Sequence, residues 1–141
     1  MRKSIFHYFK IAGQIATKRE DKRQFYLAAL GIRSSDNVIV KSYNGTAKDP
    51  TPNIHAEARC VKKLTPNSVM YVARIMIGSG AFGCARPCCD CLSAIKNMGL
   101  RKVYYTIGNS RYGVIDFFHN TERVIKENVF VDFPGAPLEI S

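Results

Sequence analysis

Three of the five cysteines in this chain, Cys88, Cys89 and Cys91, fall within four residues of one another. With Cys60 and Cys84 the count is odd, and such crowding marks a metal or catalytic site rather than a disulfide framework. Reduced thiols in turn point to a cytoplasmic setting. The fold must then be held by its own core, and the length allows it: a chain of about 150 residues buries roughly 70% of the surface it exposes when unfolded. With 141 residues, 46% of them hydrophobic, and no repeat, low-complexity tract or Gly/Ser/Pro-rich linker, the expectation is a single domain over 1–141. No apolar tract is long enough to span a bilayer, so disordered, collagen-like and transmembrane classes are excluded and no membrane partner is expected.

The elements follow from periodicity and turn chemistry. Ile5, Phe9, Ala12 and Ala16 have helical spacing, widened by Tyr8 and Ile15, and read as a core-packing helix. A secretory signal does not fit, because His7 and Lys10 interrupt the apolar stretch; a basic transit sequence is the alternative. Phe25 to Arg33 and Asn37 to Ser42 read as strands of a hairpin turning through Ser34-Ser35-Asp36. A loop from Asn44 to Asn53 leads to a helix from Ile54 to Leu64, which Pro66-Asn67 ends before a strand from Ser68 to Ile77. Gly78, Gly80 and Gly83 make a loop leading to Pro87, placed in the first turn of a helix that runs to Met98 and is capped by Gly99.

Arg101 to Ile107 is the next strand. The segment Ile107 to Arg111 is too short for a parallel crossover, so a strand from Arg111 to Phe117 is expected to return antiparallel. The competing reading makes Asn120 to Asn128 a helix and Val129 to Phe133 a parallel fifth strand. An order of β-β-α-β-α-β implies an α/β sandwich, a mixed sheet covered by helices.

Two clusters carry chemistry. His55-Ala56-Glu57 opens one expected helix and Pro87-Cys88-Cys89-Asp90-Cys91 opens another, with 29 residues between. Each half is a weak signal; together, in this order and on helix starts, they form the H-x-E and P-C-x-x-C pair of zinc-dependent deaminases. Cys88 and Cys91, at i and i+3, share a helix face, where the helix dipole favours thiolates. With the His55 imidazole they make three protein ligands, which leaves zinc a fourth position for water, as in catalytic rather than structural sites. Zinc brings that water's pKa toward neutrality, making hydroxide available. Glu57 stands beside the metal and can carry the water's proton to the ring nitrogen and then to departing ammonia. The expected reaction is hydrolytic deamination. The alternative is a closed structural zinc on Cys84, His55, Cys88 and Cys91 in a binding protein. Cys60 reads as a core residue and Cys89 as packing or support behind the ligands. Arg86 is either a contact for a substrate phosphate or a solvated side chain.

From Phe25 to Ile115 the sequence resembles the cytidine deaminase-like superfamily, through the strand pair, Ser42-Tyr43-Asn44-Gly45, His55-Ala56-Glu57, Pro87 to Cys91 and Lys102-Val103-Tyr104-Tyr105. The resemblance implies a three-layer α/β/α sandwich with a five-stranded mixed sheet, zinc on His55, Cys88 and Cys91, and Glu57 as proton shuttle. It also implies that Asn44 holds the sugar of the substrate, against the plainer reading of a turn asparagine that Asn-Gly favours. The loop before His55 lacks the extra ligands that many deoxycytidylate deaminases use for a second zinc. Arg86 replaces the glutamate or serine usual before Pro-Cys. An antiparallel last hairpin resembles the free-nucleoside branch, whereas tRNA-adenosine and polynucleotide members usually have parallel strands there.

Substrate and partners follow from these readings. The first is conversion of cytosine to uracil in a free cytidine or deoxycytidine nucleoside or nucleotide. The second is cytosine in single-stranded DNA or RNA, toward which the net charge of +10 and stacking by Tyr104, Tyr105 and Tyr112 would contribute. Members of the superfamily are often homo-oligomers, and nothing in the chain fixes a number.

Overall fold

In the computed structural model, residues 5–17, 25–43, 56–76 and 81–126 are described. Helix α1 spans Ile5–Thr17, and Phe9 and Ala12 of its expected stripe are fully buried. Strands β1 (Phe25–Ile32) and β2 (Ile39–Tyr43) form the expected antiparallel hairpin. Its turn is closed by Asp36, whose carboxylate accepts from the Val38 amide at 3.2 Å and the Arg33 guanidinium at 2.7 and 2.9 Å.

Helix α2 spans Ala56–Val61 and strand β3 Val69–Met76. The helix stops short of the expected Leu64: the amides of Lys63 and Leu64 reach back only three residues, to the carbonyls of Cys60 and Val61, which tightens and ends the last turn. A two-residue strand β4 (Phe82–Gly83) precedes helix α3 (Cys89–Met98). Cys88 is the cap of α3, so Pro87 lies just before the helix rather than in its first turn. Gly99 ends it in the left-handed region, φ 84°, and the amides of Gly99 and Leu100 take the carbonyls of Lys96 and Ile95. Strands β5 (Lys102–Gly108), β6 (Arg111–Asp116) and β7 (Thr121–Lys126) complete the described chain.

The sheet order is β2-β1-β3-β5-β6-β7, with β4 paired to β3. Only β3 and β5 run parallel; every other pairing is antiparallel, including the expected β5–β6 hairpin. Alternation along the strands gives two cores. Ala28, Leu30, Tyr71, Ala73 and Ile75 face α1, while Ala29, Met70, Val72, Val103 and Tyr105 face α2 and α3. Helices therefore cover both faces, as a three-layer arrangement requires.

The sheet has seven strands, not five. The strand β4 is too short to show alternation in sequence. The strand β7 replaces the helix of the competing reading, and five of its six residues carry little burial signal because it is an edge strand with one neighbour. Its turn from β6 is set by Asp116, whose Oδ1 accepts from the Phe118 and His119 amides at 3.0 and 3.1 Å, and by Asn120 at φ 52°.

Tyr104 and Tyr112 belong to an aromatic cluster with Tyr8, Phe9 and Tyr71, the Tyr71 and Tyr104 rings stacking at 4.9 Å. They serve the core between sheet and α1. Tyr105 points to the other face and lies across Gly113 of β6, where an added Cβ would fall within the tyrosine ring. Gly113→Ala is expected to force that ring aside and to cost about 1–3 kcal/mol in denaturant unfolding, the usual range for overpacking.

Candidate metal centre

The topology brings the two sequence clusters together. Helix α2 leads into β3 and α3 leads into β5, and these strands run parallel. Two helices that each precede one of a pair of parallel strands start at the same end of the sheet. Glu57 in the first turn of α2 and Cys88 and Cys91 at the start of α3 are thereby placed side by side.

Glu57 is 2% exposed and Cys91 5%, while Cys88 reaches the surface. Burial raises the Cys91 thiol well above its ordinary pKa, the Glu57 carboxylate raises it further, and hydrogen-bonding contacts with Cys88 and Glu57 add to the shift. Two thiols and a carboxylate thus converge where each, once ionised, repels the others. A divalent cation relieves that repulsion, and two thiolates near a helix start suit zinc. Cys88 makes no side-chain capping bond at the start of α3.

His55 and Asn44 lie outside the described residues. Among the described residues no three His, Cys, Asp or Glu side chains by themselves form a metal-holding group. Cys84, Cys88 and Cys91 are accordingly not such a group among the described residues. Cys89 is exposed, so it is not a packing residue. Cys60 is fully buried, its thiol pushed up to about 12 by burial, as a core cysteine should be.

The approach to Cys88 is held by residues that spacing could not reveal. The Met76 amide donates to the Ala81 carbonyl and the Phe82 amide to Asn109 Oδ1, both at 2.9 Å. Thr106 donates its hydroxyl to the Gly83 carbonyl at 2.8 Å and accepts from the Arg74 amide at 3.2 Å. The Ala85 amide then donates to the Thr106 carbonyl at 2.9 Å. Arg86 keeps much of its side chain in solvent but is not a free charge: it forks onto Glu122 of β7, Nε to Oε1 at 2.7 Å and Nη2 to Oε2 at 3.1 Å. Tyr105 donates to the same Oε1 at 2.7 Å. The Arg86 bond first, with that of Tyr105, holds the Glu122 carboxyl below the usual carboxylate range.

A cleft of about 440 Å³ opens beside this bridge, between α3 and the β6–β7 hairpin, lined by Arg86, Leu92, Lys96, Phe117, Asn120 and Glu122 among others. Leu92 and Lys96 lie on a different face of α3 from Cys91 and Ile95, so the cleft is beside the Glu57–Cys91 cluster rather than in it. No helix among the described residues is long and apolar enough to cross a membrane.

Residues 3–107 match the profile of the cytidine and deoxycytidylate deaminase zinc-binding region. The chain is also 24% identical over 106 residues to the tRNA-specific adenosine deaminase subunit tad2 of Schizosaccharomyces pombe. That match covers 75% of this chain but only 26% of the relative, so the chain spans about a quarter of that protein's length.

Proposed function

This chain belongs to the cytidine and deoxycytidylate deaminase zinc-binding family, and from that premise we propose that it hydrolyses cytosine to uracil in a free nucleoside or nucleotide. The observation that carries the reading is the buried Glu57 carboxylate beside the Cys88–Cys91 pair at the shared end of two helices. Zinc is the family's metal; Cys88, Cys91 and His55 would hold it, and bound there it makes water acidic enough to attack near neutral pH.

Glu57 would do the proton work. Its carboxylate takes one proton from the attacking water and gives it to the ring nitrogen next to the attacked carbon. As the carbon–nitrogen bond to the amino group breaks, Glu57 takes the remaining proton from the added hydroxyl and passes it to the departing amino group, so that ammonia leaves and a carbonyl remains. Asn44, just after β2, would hold the sugar.

The antiparallel β5–β6 pair supports a free nucleoside or nucleotide, because the resemblance associates that arrangement with the free-substrate branch. The involvement of Tyr104 and Tyr112 in the α1 core supports it too, since they are taken from any stacking platform. A polynucleotide substrate is the second reading, favoured by the similarity to a tRNA-specific adenosine deaminase subunit and by the charge of +10.

The test is zinc-loaded protein with cytidine, deoxycytidine, their monophosphates, a cytosine-bearing single strand and an adenosine-bearing tRNA, scoring ammonia and the deaminated base. Turnover of the monomers is the expected result. Turnover of the strand or the tRNA alone would overturn it in favour of a polynucleotide enzyme, whose binding should weaken steeply with salt.

A further inference from the structure

Arg86 stands two residues before Cys88, separated from it only by Pro87, whose side chain is fully buried and whose ring fixes the backbone. The position of the Cys88 sulfur is thus set by wherever Arg86 and Pro87 are held. Backbone pairing holds this segment on one side, through Ala85 and Thr106. On the other side Glu122 receives three donors, two from Arg86 and one from Tyr105. Glu122 and Arg86 are about one-third and one-half exposed, 35% and 46%, so an isolated pair here would add little stability. The Tyr105 ring is 4% exposed and can reach Glu122 because Gly113 leaves room for it to cross β6. A carboxylate fixed from below by a buried hydroxyl gives Arg86 a rigid, two-pronged anchor.

We infer that Tyr105, Glu122 and Arg86 form a clamp that positions Cys88 for metal binding, with the β6–β7 hairpin as its support. All three are positioning residues, acting on the metal through the backbone of residues 86–88. The inference rests on the reading of Cys88 and Cys91 as ligands. It gives a structural purpose to the arginine that stands before Pro87, and to the outer face of an edge strand of which only Ile125 packs against the core.

Cobalt(II) titration tests it, because the thiolate-to-cobalt absorption band reports sulfur geometry without requiring turnover. Glu122→Ala and Arg86→Ala should each shift that band and weaken cobalt affinity about 10- to 100-fold, the usual cost of losing a residue that supports a ligand. Arg86→Lys, with one prong in place of two, should fall between them and the parent. If Glu122→Ala does not fold, Tyr105→Phe, which removes a single hydroxyl, should still shift the band. Asp36→Asn breaks the surface Arg33–Asp36 pair and should change nothing. An unaltered band and affinity in the clamp variants would overturn the clamp and leave the ligand assignment standing. An equal change in Asp36→Asn would also overturn it, showing general loosening. A parent protein with no thiolate–cobalt band would overturn the ligand assignment and the clamp with it.

Discussion

Glu57→Gln is expected to lower turnover by about 10²- to 10⁴-fold, the usual contribution of a positioned proton carrier, while the purified protein keeps its zinc. Glutamine matches the shape of a side chain that is only 2% exposed, so no cavity opens and the helix start is undisturbed. What it loses is the ability to accept a proton from water and hand it on. The variant also removes a negative charge that raises the Cys91 thiol pKa. Metal retention should therefore be at least as good as in the parent, and this separates proton transfer from ligation. Metal analysis beside steady-state rates is the measurement. Activity within tenfold of the parent would exclude Glu57 as the proton carrier. Joint loss of zinc and activity would make it a ligand or a structural support.

The parts of this molecule that were legible in the sequence are those fixed by local rules. Gly99 ends α3 because the left-handed cap suits a residue without a side chain. The segment from Ile107 to Arg111 forces an antiparallel return because it cannot hold a crossover. That Glu57, Cys88 and Cys91 lie together was legible because metal chemistry demands particular residue types at particular spacings, and the pattern drew attention to them. The edge strand β7 was not legible: with one neighbour it needs no alternation, and Thr121 to Val124 are all exposed. Nor was the role of Arg86. Its partner is 36 residues away in sequence, and only the sheet order β5-β6-β7 brings Glu122 and Tyr105 to it. Arginine before Pro87 reads from sequence as a free charge, and free charges carry no address. The sheet was therefore expected two strands too small, and the support of the metal loop was missing with them.

Cys91→Ser is expected to abolish metal binding and with it all turnover. Serine fills nearly the same volume in a pocket where Cys91 is 5% exposed, so packing changes little. A hydroxyl, however, is not among the thiolate, imidazole and carboxylate donors that zinc sites use. The consequence for stability follows from linkage: a ligand that binds only the folded state stabilises it by about 2.7 kcal/mol at a hundred times its Kd. A chelator should therefore lower the Tm of the parent and leave that of Cys91→Ser where it is, because that variant has no bound metal to lose. Cys89→Ser sets the standard for comparison. Its side chain lies in the same turn but is exposed, so it should keep zinc, activity and the chelator response. Cys84→Ser should behave as Cys89→Ser does, since among the described residues Cys84, Cys88 and Cys91 form no metal-holding group. If Cys84→Ser instead loses metal together with Cys91→Ser, the zinc is closed by four protein ligands, no position is left for water, and the catalytic reading fails at its first requirement.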